Sequence, residues 1–332
     1  PKGGRMRQYL LFSVIIGMAP LYGAYFYDLN KDGYLDIVIS CVHGNYDNWA
    51  VPSYIYWGNQ SGYTDSNRTE LGIEHAAYNS VADLNNDGWL DIIFSGASKN
   101  SSCIIWGNNG MYDVSNSTQL YTGSHATGNA VADLNNDGYL DLIFAVQDIN
   151  AGVIYWGSQT GYSDSNKTEL LAHTTYDVAV GDLNGDNVLD IVLTRVNYYK
   201  YAYIYYGETS STYPYVTYRR DSLPAYASCV KIADVNKDGY LDVIFSNHVK
   251  PDDWDYNTVS YIYYNSLNGF DTLNRVELPT IGPYDNTVAD LNNDGYNDVI
   301  FANCFGGATY SYIYWGSSQG FNPSNRTELP TR

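Results

Sequence analysis

Residues 28–36 read Asp28-Leu29-Asn30-Lys31-Asp32-Gly33-Tyr34-Leu35-Asp36, and the same nine-residue pattern occurs six times in the chain. The other copies span residues 83–91, 133–141, 182–190, 234–242 and 290–298. Every copy has Asp at positions 1, 5 and 9 and Asn at position 3. Oxygen-bearing side chains at this spacing, with a backbone carbonyl at position 7, can surround a hard cation in a short loop. The pattern therefore predicts up to six calcium sites, one in each copy.

The predicted calcium ligands are the side chains at positions 1, 3, 5 and 9 and the carbonyl at position 7. They are Asp28, Asn30, Asp32, Tyr34, Asp36, Asp83, Asn85, Asp87, Trp89, Asp91, Asp133, Asn135, Asp137, Tyr139, Asp141, Asp182, Asn184, Asp186, Val188, Asp190, Asp234, Asn236, Asp238, Tyr240, Asp242, Asp290, Asn292, Asp294, Tyr296 and Asp298. Position 6 needs a residue that tolerates positive φ, and it is Gly in five copies and Asn187 in the fourth. The loops differ from EF-hands, because position 12 of the first copy is Ile39 rather than Glu.

The loops also explain why the chain is acidic. The 332 residues carry a formal net charge of -19, and the three Asp of each loop supply 18 negative charges. Six bound Ca²⁺ would leave about -7, an ordinary surface charge for a soluble protein. Lys and Arg form no cluster that could follow phosphates, which argues against nucleic acid as a partner. Low-affinity calcium modules are extracellular, so we expect a secreted or cell-surface location.

A repeat of about 50 residues begins near residue 19 and continues along the chain. Each unit has a strand, the Asp-rich loop, a second strand, a variable loop and two more strands. The third strand is exemplified by Tyr54-Ile55-Tyr56-Trp57-Gly58 and the fourth by Asn67-Arg68-Thr69-Glu70-Leu71. Four strands per repeated unit are typical of a β-propeller. We therefore predict an all-β, six-bladed propeller of four antiparallel strands per blade. The blades span about 19–73, 74–123, 124–172, 173–224, 225–280 and 281–332.

Residues 1–18 stand outside the repeats and contain the apolar run Tyr9-Leu10-Leu11-Phe12-Ser13-Val14-Ile15-Ile16. A basic start and a short apolar run resemble a secretory signal peptide, and the run is too short to span a membrane. The alternative is an extra N-terminal strand, for which six complete blades leave no place in the ring. We predict that such a strand pairs with the open edge of a neighbouring molecule, in head-to-tail assembly. The competing outcome is a strand that folds back on its own blade 6 or 1.

The four cysteines, Cys41, Cys103, Cys229 and Cys304, are too few for a disulfide scaffold in a chain of this length. Cys41 and Cys304 follow the second strands of the first and last blades, so a disulfide that closes the ring is one possibility. Free buried thiols at all four positions are the favoured alternative.

The D-x-N-x-D-G-x-x-D loops, each followed by a strand, resemble the FG-GAP/VCBS repeat family over residues 19–332. That family includes the propeller heads of integrin α-chains and fungal calcium-dependent propeller lectins. The resemblance implies calcium between the first two strands of each blade of a non-enzymatic recognition or adhesion protein. Integrin heads and the fungal lectins have seven blades and this chain has six, so the loop residues carry over and ligand-binding residues do not.

Two loops between second and third strands share a pattern that fits a ligand site. One contains His43, Asp47 and Trp49, and the other contains His248, Asp252 and Trp254. Trp can stack on the C–H face of a sugar while carboxylate and imidazole bind hydroxyl groups. The favoured alternative is that each Trp packs its own loop onto the blade.

Six N-x-S/T sequons are candidate glycosylation sites, at Asn59, Asn67, Asn100, Asn116, Asn166 and Asn325. Four of them recur where the outer strand begins. Asn can also shape the turn there, and Thr favours the strand, so the pattern has a structural alternative.

No catalytic constellation is visible. The chain has no H-E-x-x-H, and its G-x-S-x-G match, residues 316–320, falls in a Gly/Ser turn between two strands rather than at the strand-to-helix turn that the motif requires. We expect a non-enzymatic protein with an adhesive or structural role, whose partners are further copies of itself, glycans or extracellular polymers. A lectin is the first alternative. A carbohydrate-active enzyme such as a polysaccharide lyase is a minor one.

Overall fold

A computed structural model of the protein describes residues 21–41, 51–96, 100–196, 200–208, 215, 219–250, 252, 254–307 and 310–331. The regular secondary structure in these ranges is β throughout, with 24 strands in six sheets of four. Each sheet consists of four consecutive strands in antiparallel order, as the meander of a propeller blade requires. The predicted all-β fold of six four-stranded blades is therefore confirmed.

The strands are named β1 to β24 in chain order, four to a blade. Blades 1 and 2 contain β1 to β8, which span Leu21–Tyr27, Asp36–Cys41, Pro52–Tyr56, Arg68–Glu74, Ala76–Ala82, Asp91–Gly96, Ser102–Ile105 and Ser117–Leu120. Blades 3 and 4 contain β9 to β16, which span Ala126–Ala132, Asp141–Val146, Ala151–Tyr155, Lys167–Leu171, Thr175–Gly181, Asp190–Arg195, Tyr201–Tyr205 and Arg220–Pro224. Blades 5 and 6 contain β17 to β24, which span Ala227–Ala233, Asp242–Asn247, Asn257–Tyr263, Arg275–Ile281, Pro283–Ala289, Asp298–Asn303, Tyr310–Tyr314 and Arg326–Pro330.

The antiparallel meander places successive connections of a blade at opposite ends of its sheet. The Asp-rich loops and the turns between third and fourth strands lie at one end, which we call the aspartate face. The loops between second and third strands lie at the other end with the links between blades, and we call this end the link face. The two kinds of candidate site predicted from the sequence therefore lie on opposite faces.

Hydrophobic cores lie between successive blades. Val38 and Ile55 of blade 1 pack with Ile92 of blade 2, whereas Ile93 and Ile104 of blade 2 pack with blade 3. Neighbouring residues of a strand point to opposite sides of the sheet, so one apolar run serves two cores. All five side chains are fully buried, and each stabilises the fold by about 1.5–3 kcal/mol. Similar cores join blade 3 to 4, 4 to 5 and 5 to 6.

Tyrosine hydroxyls tie blades 3 to 6 to the blade before them. The donors are Tyr155, Tyr205, Tyr263 and Tyr314, and the acceptors are the backbone oxygens of Tyr121, Leu171, Pro224 and Pro279. The equivalent Tyr56 of blade 1 bonds Asp65 and Arg68 of its own blade instead, at 3.2 and 2.8 Å. Among the described residues, no hydrophobic cluster joins blade 6 to blade 1. The described hydrophobic clusters therefore connect the six blades in series, from blade 1 to blade 6.

All four cysteines are free thiols. The alternative of a disulfide between Cys41 and Cys304 is therefore wrong for this structure. Cys41, Cys103 and Cys229 are buried in strands, as expected, but Cys304 is exposed. It is exposed because it follows the end of β22 and lies in the loop to β23. The predicted extra strand at residues 9–16 and the signal-peptide alternative lie outside the described residues.

Candidate functional site

The first Asp-rich loop is closed by hydrogen bonds from its own backbone. The Asp28 carboxylate accepts the amides of Asp32 and Gly33, both at 3.0 Å. The side-chain oxygen of Asn30 accepts the Asp32 amide at 3.0 Å, and Asp32 Oδ1 accepts the Tyr34 amide at 2.9 Å. Gly33 has a φ of 90°, which the absence of a Cβ permits. These bonds fix the oxygens of positions 1, 3 and 5 within one short loop.

The other five loops repeat this network. In each of them the carboxylate at position 1 accepts the amides of positions 5 and 6, at 2.8–3.2 Å. The oxygens at positions 3 and 5 accept the amides of positions 5 and 7, at 2.8–3.0 Å. Asn187 takes the place of Gly with a φ of 64°. One backbone arrangement therefore occurs six times on the aspartate face.

The aspartate at position 9 has a different environment. It is fully buried in every blade, at Asp36, Asp91, Asp141, Asp190, Asp242 and Asp298. In blade 3, Asp141 accepts the Leu134 amide at 2.8 Å and the Gly157 amide at 2.7 Å. The same pair of bonds forms in the other five blades. This carboxylate joins the start of the loop to the end of the third strand, and we call it the clamp aspartate.

The clamp explains a glycine whose role the sequence analysis missed. The residue two positions after the end of the third strand donates its amide to the clamp aspartate. In five blades it is Gly58, Gly107, Gly157, Gly207 and Gly316. A Cβ at Gly58 would lie 2.1 Å from the carbonyl oxygen of Leu35, well inside van der Waals contact. In blade 5 the residue is Asn265, whose side chain reaches the Leu183 carbonyl of blade 4. The recurring aromatic-Gly pair was the signal.

Burial raises the pKa of the clamp aspartates. Desolvation is the largest cause, the two amide hydrogen bonds oppose it, and the nearby loop carboxylates add to it. The pKa rises to about 7 at Asp141 and to about 6 at Asp91, Asp190 and Asp242. It also rises at Asp36 and Asp298, for the same reasons. Burial therefore disfavours the charged form of the clamp aspartates.

The donor chemistry of the loops fits calcium. Each loop offers carboxylate and amide oxygens at positions 1, 3 and 5, which are the hard ligands calcium prefers. Their amide hydrogen bonds leave further lone pairs on the same oxygens. Within the described ranges, no group of three or more His, Cys, Asp or Glu side chains is placed to hold a metal ion. The carboxylates at position 1 are half-buried and those at position 5 are exposed, whereas that at position 9 is the buried clamp. Calcium binding at all five predicted positions stays a prediction.

On the link face, the residues of the second predicted ligand loop have different surroundings. The ring of His248 packs against Phe305, Tyr256 and Tyr284, with centroids 4.6, 5.5 and 5.9 Å away. Burial lowers the pKa of His248. Trp254 is 52% exposed, while Asp252 pairs with Lys200. His248 is therefore part of an aromatic cluster, and Asp252 and Trp254 lie at the surface. His43, Asp47 and Trp49 lie outside the described residues.

A cavity of about 310 Å³ opens between blades 4 and 5 on the link face. It is lined by Lys200, Pro224, Ala225, Tyr226, Lys250, Asp252, Tyr261 and Arg275. Lys200 comes from the blade 4 loop between second and third strands, and Asp252 comes from the equivalent loop of blade 5. Asp252, which belongs to the six residues predicted to bind a ligand, lines this cavity.

The loops and strands of the chain match a known repeat family. The FG-GAP-like repeat matches four stretches of the chain. Residues 28–94, 83–144 and 133–193 overlap, and residues 234–301 form a separate match. Each stretch begins with an Asp-rich loop and ends within the second strand of the next blade. The chain belongs to the FG-GAP-like repeat family.

Known proteins resemble this FG-GAP propeller in sequence or in fold. Integrin alpha-PS3 of Drosophila melanogaster is 32% identical over 143 residues, which cover 40% of this chain and 13% of the integrin. The chain thus corresponds to a small part of that relative's length. An Agrocybe aegerita lectin that recognises non-reducing terminal N-acetylglucosamine superposes with a TM-score of 0.55 at 15% identity, covering 95% of this chain and 81% of the lectin. BBS1N, in its complex with ARL6DN, superposes with a TM-score of 0.57 at 13% identity, covering 90% of this chain and 80% of BBS1N. The lectin and BBS1N therefore share the fold of this chain.

In this FG-GAP propeller the recurring sequons have structural partners. The Trp57 indole donates to the Thr69 hydroxyl at 2.9 Å, and the Asn67 side chain donates to the Trp57 carbonyl at 2.9 Å. Blades 2 and 3 repeat both bonds, and blade 6 repeats the Trp–Thr bond. The structural alternative therefore accounts for Asn-x-Thr at the outer strand, and glycosylation at the six Asn stays a prediction.

The described residues contain no helix long and apolar enough to cross a membrane.

Proposed function

We propose that this FG-GAP propeller is a non-enzymatic, calcium-binding recognition protein that works in adhesion outside the cell. The observation that carries the proposal is the hydrogen-bond network repeated in all six Asp-rich loops, described above. A calcium ion in the first loop would be held by the side chains of Asp28, Asn30 and Asp32 and by the Tyr34 carbonyl. The ion would supply positive charge between two carboxylates that otherwise repel each other.

The known relatives are consistent with a recognition role. One is an integrin α-chain and one fold neighbour is a lectin. The division of the propeller into two faces adds a physical reason. Calcium on the aspartate face would stiffen the scaffold, and the link face would present variable loops to a partner, as rigid scaffolds commonly do.

Replacing Trp254 by Ala tests the link face as the recognition surface. Trp254 is a large exposed ring on this face, so its loss should weaken binding to glycans or extracellular matrix by about tenfold, the scale of an interface hot spot. Binding is measured on a glycan array and on immobilised matrix with about 1 mM calcium, in the extracellular range. Leu273→Ala is the matched control, because Leu273 is 90% exposed in a turn on the aspartate face of the same blade. Equal loss in both variants, or in neither, would contradict the assignment.

A lectin is the second candidate function. The observation that favours it is the cavity between blades 4 and 5, which combines tyrosine rings with charged groups.

Self-assembly through residues 9–16 also belongs to the proposal. The run Tyr9-Leu10-Leu11-Phe12-Ser13-Val14-Ile15-Ile16 is strongly β-forming and apolar. We expect the full chain to form concentration-dependent oligomers in analytical ultracentrifugation. A chain that lacks residues 1–18 should stay monomeric with an unchanged circular-dichroism spectrum. Monomeric full-length protein at high concentration would rule out this mode of assembly.

A further inference from the structure

We propose that the cavity between blades 4 and 5 binds a neutral pyranose sugar, with the Lys200–Asp252 ion pair as its polar anchor. This inference rests on the proposed recognition function and names a ligand class and a site for it.

The cavity is built by two blades together. Lys200 precedes β15 of blade 4, Pro224 ends β16, and Ala225 and Tyr226 form the link to β17. Blade 5 contributes the loop residues Lys250 and Asp252 with Tyr261 and Arg275 from its strands. The Ala225 amide donates to the Lys200 carbonyl at 3.0 Å, which fixes the link against the blade 4 loop. The walls are thus held by the scaffold.

The basic groups of the cavity are all neutralised by ion pairs. Lys200 Nζ donates to both carboxylate oxygens of Asp252, at 2.8 and 3.0 Å. Lys250 pairs with Asp255 at 2.5 Å, and Arg275 donates twice to Glu277, at 3.0 and 2.7 Å. An anionic ligand would have to displace one of these carboxylates. A neutral ligand can use donors and acceptors that are already side by side.

Such a lining matches the chemistry of a sugar ring. Vicinal hydroxyl groups donate and accept hydrogen bonds together, as the ammonium and carboxylate of a fixed ion pair require. Pyranoses also have an apolar C–H face, for which Tyr226, Pro224 and Ala225 supply a wall. The Arg275 guanidinium lies 4.1 Å from the centre of the Tyr261 ring, and Tyr261 is 8% exposed. Tyr226 is half-buried and meets the Tyr261 ring edge-on at 6.4 Å, so it is the more exposed of the two rings. A volume of about 310 Å³ lies at the lower end for small-molecule sites, which suits one or two sugar rings.

Lys200 is the residue whose carbonyl accepts a hydrogen bond from the amide of the link between blades 4 and 5. At three other junctions the equivalent residue is Asn100, Asn150 or Tyr256. Among the four junctions at which the structure describes the equivalent link bond, a lysine occupies this position between blades 4 and 5. The side chain of Asp252 is 79% exposed and that of Lys200 is 53% exposed, so either can be changed without opening the core. Asn150 provides a matched position between blades 3 and 4.

The test uses the full chain in calcium, with isothermal titration calorimetry as the readout. The probes are the methyl pyranosides of glucose, galactose, mannose and fucose, and N-acetylglucosamine. Glucuronic acid and N-acetylneuraminic acid form the anionic arm. Asp252→Asn keeps the size of the side chain but removes its charge, and we expect it to weaken binding of the preferred neutral sugar at least tenfold. Asn150→Ala and Leu267→Ala, the latter 83% exposed on the aspartate face of blade 5, should bind as the wild type does.

Binding of a neutral sugar that Asp252→Asn weakens, and that the two controls retain, supports the proposal. Preference for an anionic sugar, an unaffected Asp252→Asn variant, or no binding to any probe overturns it. A calcium titration of the same sample separates this result from the proposed function. Calcium uptake without sugar binding defeats only the cavity assignment, whereas sugar binding without calcium uptake defeats only the calcium assignment.

Discussion

We expect chelation of calcium to lower the melting temperature of the full chain by about 4–12 °C relative to about 1 mM free calcium. The reason is mass action on six sites that exist in the folded state only. Extracellular calcium modules bind with dissociation constants of about 10⁻⁴–10⁻³ M. At about 1 mM free ion, each site then stabilises the native protein by about 0.4–1.4 kcal/mol.

Six independent sites add about 2.5–8.5 kcal/mol in total. The entropy of unfolding is about 2.1 cal/mol/K per residue, or roughly 0.7 kcal/mol/K for 332 residues. Dividing the total stabilisation by this entropy gives the expected shift in melting temperature. Differential scanning calorimetry in EDTA, in calcium, and after calcium is restored measures it. Magnesium at equal ionic strength is the control, because simple screening of the loop carboxylates would act equally with either ion. An unchanged melting temperature in EDTA would show that the loops are not calcium sites.

The architecture could be predicted from the sequence because a local pattern, the Asp-rich loop between two short strands, repeats along the chain. Each copy of the Asp-rich loop lies between two short strands, and runs such as Asp91-Ile92-Ile93-Phe94 are apolar on both sides. A strand buried on both faces must lie between other sheets, which in a four-stranded repeat indicates propeller blades. These signals need no knowledge of distant contacts.

The role of position 9 could not be read in the same way. Asp is suited both to binding calcium and to accepting two buried amides, and the spacing does not distinguish the two roles. The amide bonds are observed, and calcium binding at position 9 stays a prediction. The difference depends on burial and on a partner such as Gly157, which lies 16 residues after Asp141 and on a different strand end. The cavity between blades 4 and 5 was hidden for the same reason, because Lys200 and Asp252 meet only when two blades pack.

We expect loss of a clamp aspartate to destabilise the propeller whether or not calcium is present. Asp141→Ala leaves the amides of Leu134 and Gly157 without their acceptor in a buried place. Each orphaned amide costs about 1–3 kcal/mol, and the variant also removes a carboxylate whose burial was unfavourable, so the net loss is about 2–5 kcal/mol. With the entropy of unfolding given above, the melting temperature should fall by about 3–7 °C. Differential scanning calorimetry in EDTA is the deciding measurement.

Asp137→Asn in the same loop is the matched control, because position 5 is exposed and its Oδ1 can still accept the Tyr139 amide in the variant. This variant should lose one calcium site, which lowers the melting temperature by up to about 2 °C in calcium and leaves it unchanged in EDTA. Asp141→Ala should keep most of its effect in EDTA, since its hydrogen bonds do not depend on the ion. If the effect of Asp141→Ala instead disappears in EDTA, then position 9 stabilises the fold through calcium, and all three carboxylates of the loop are ligands.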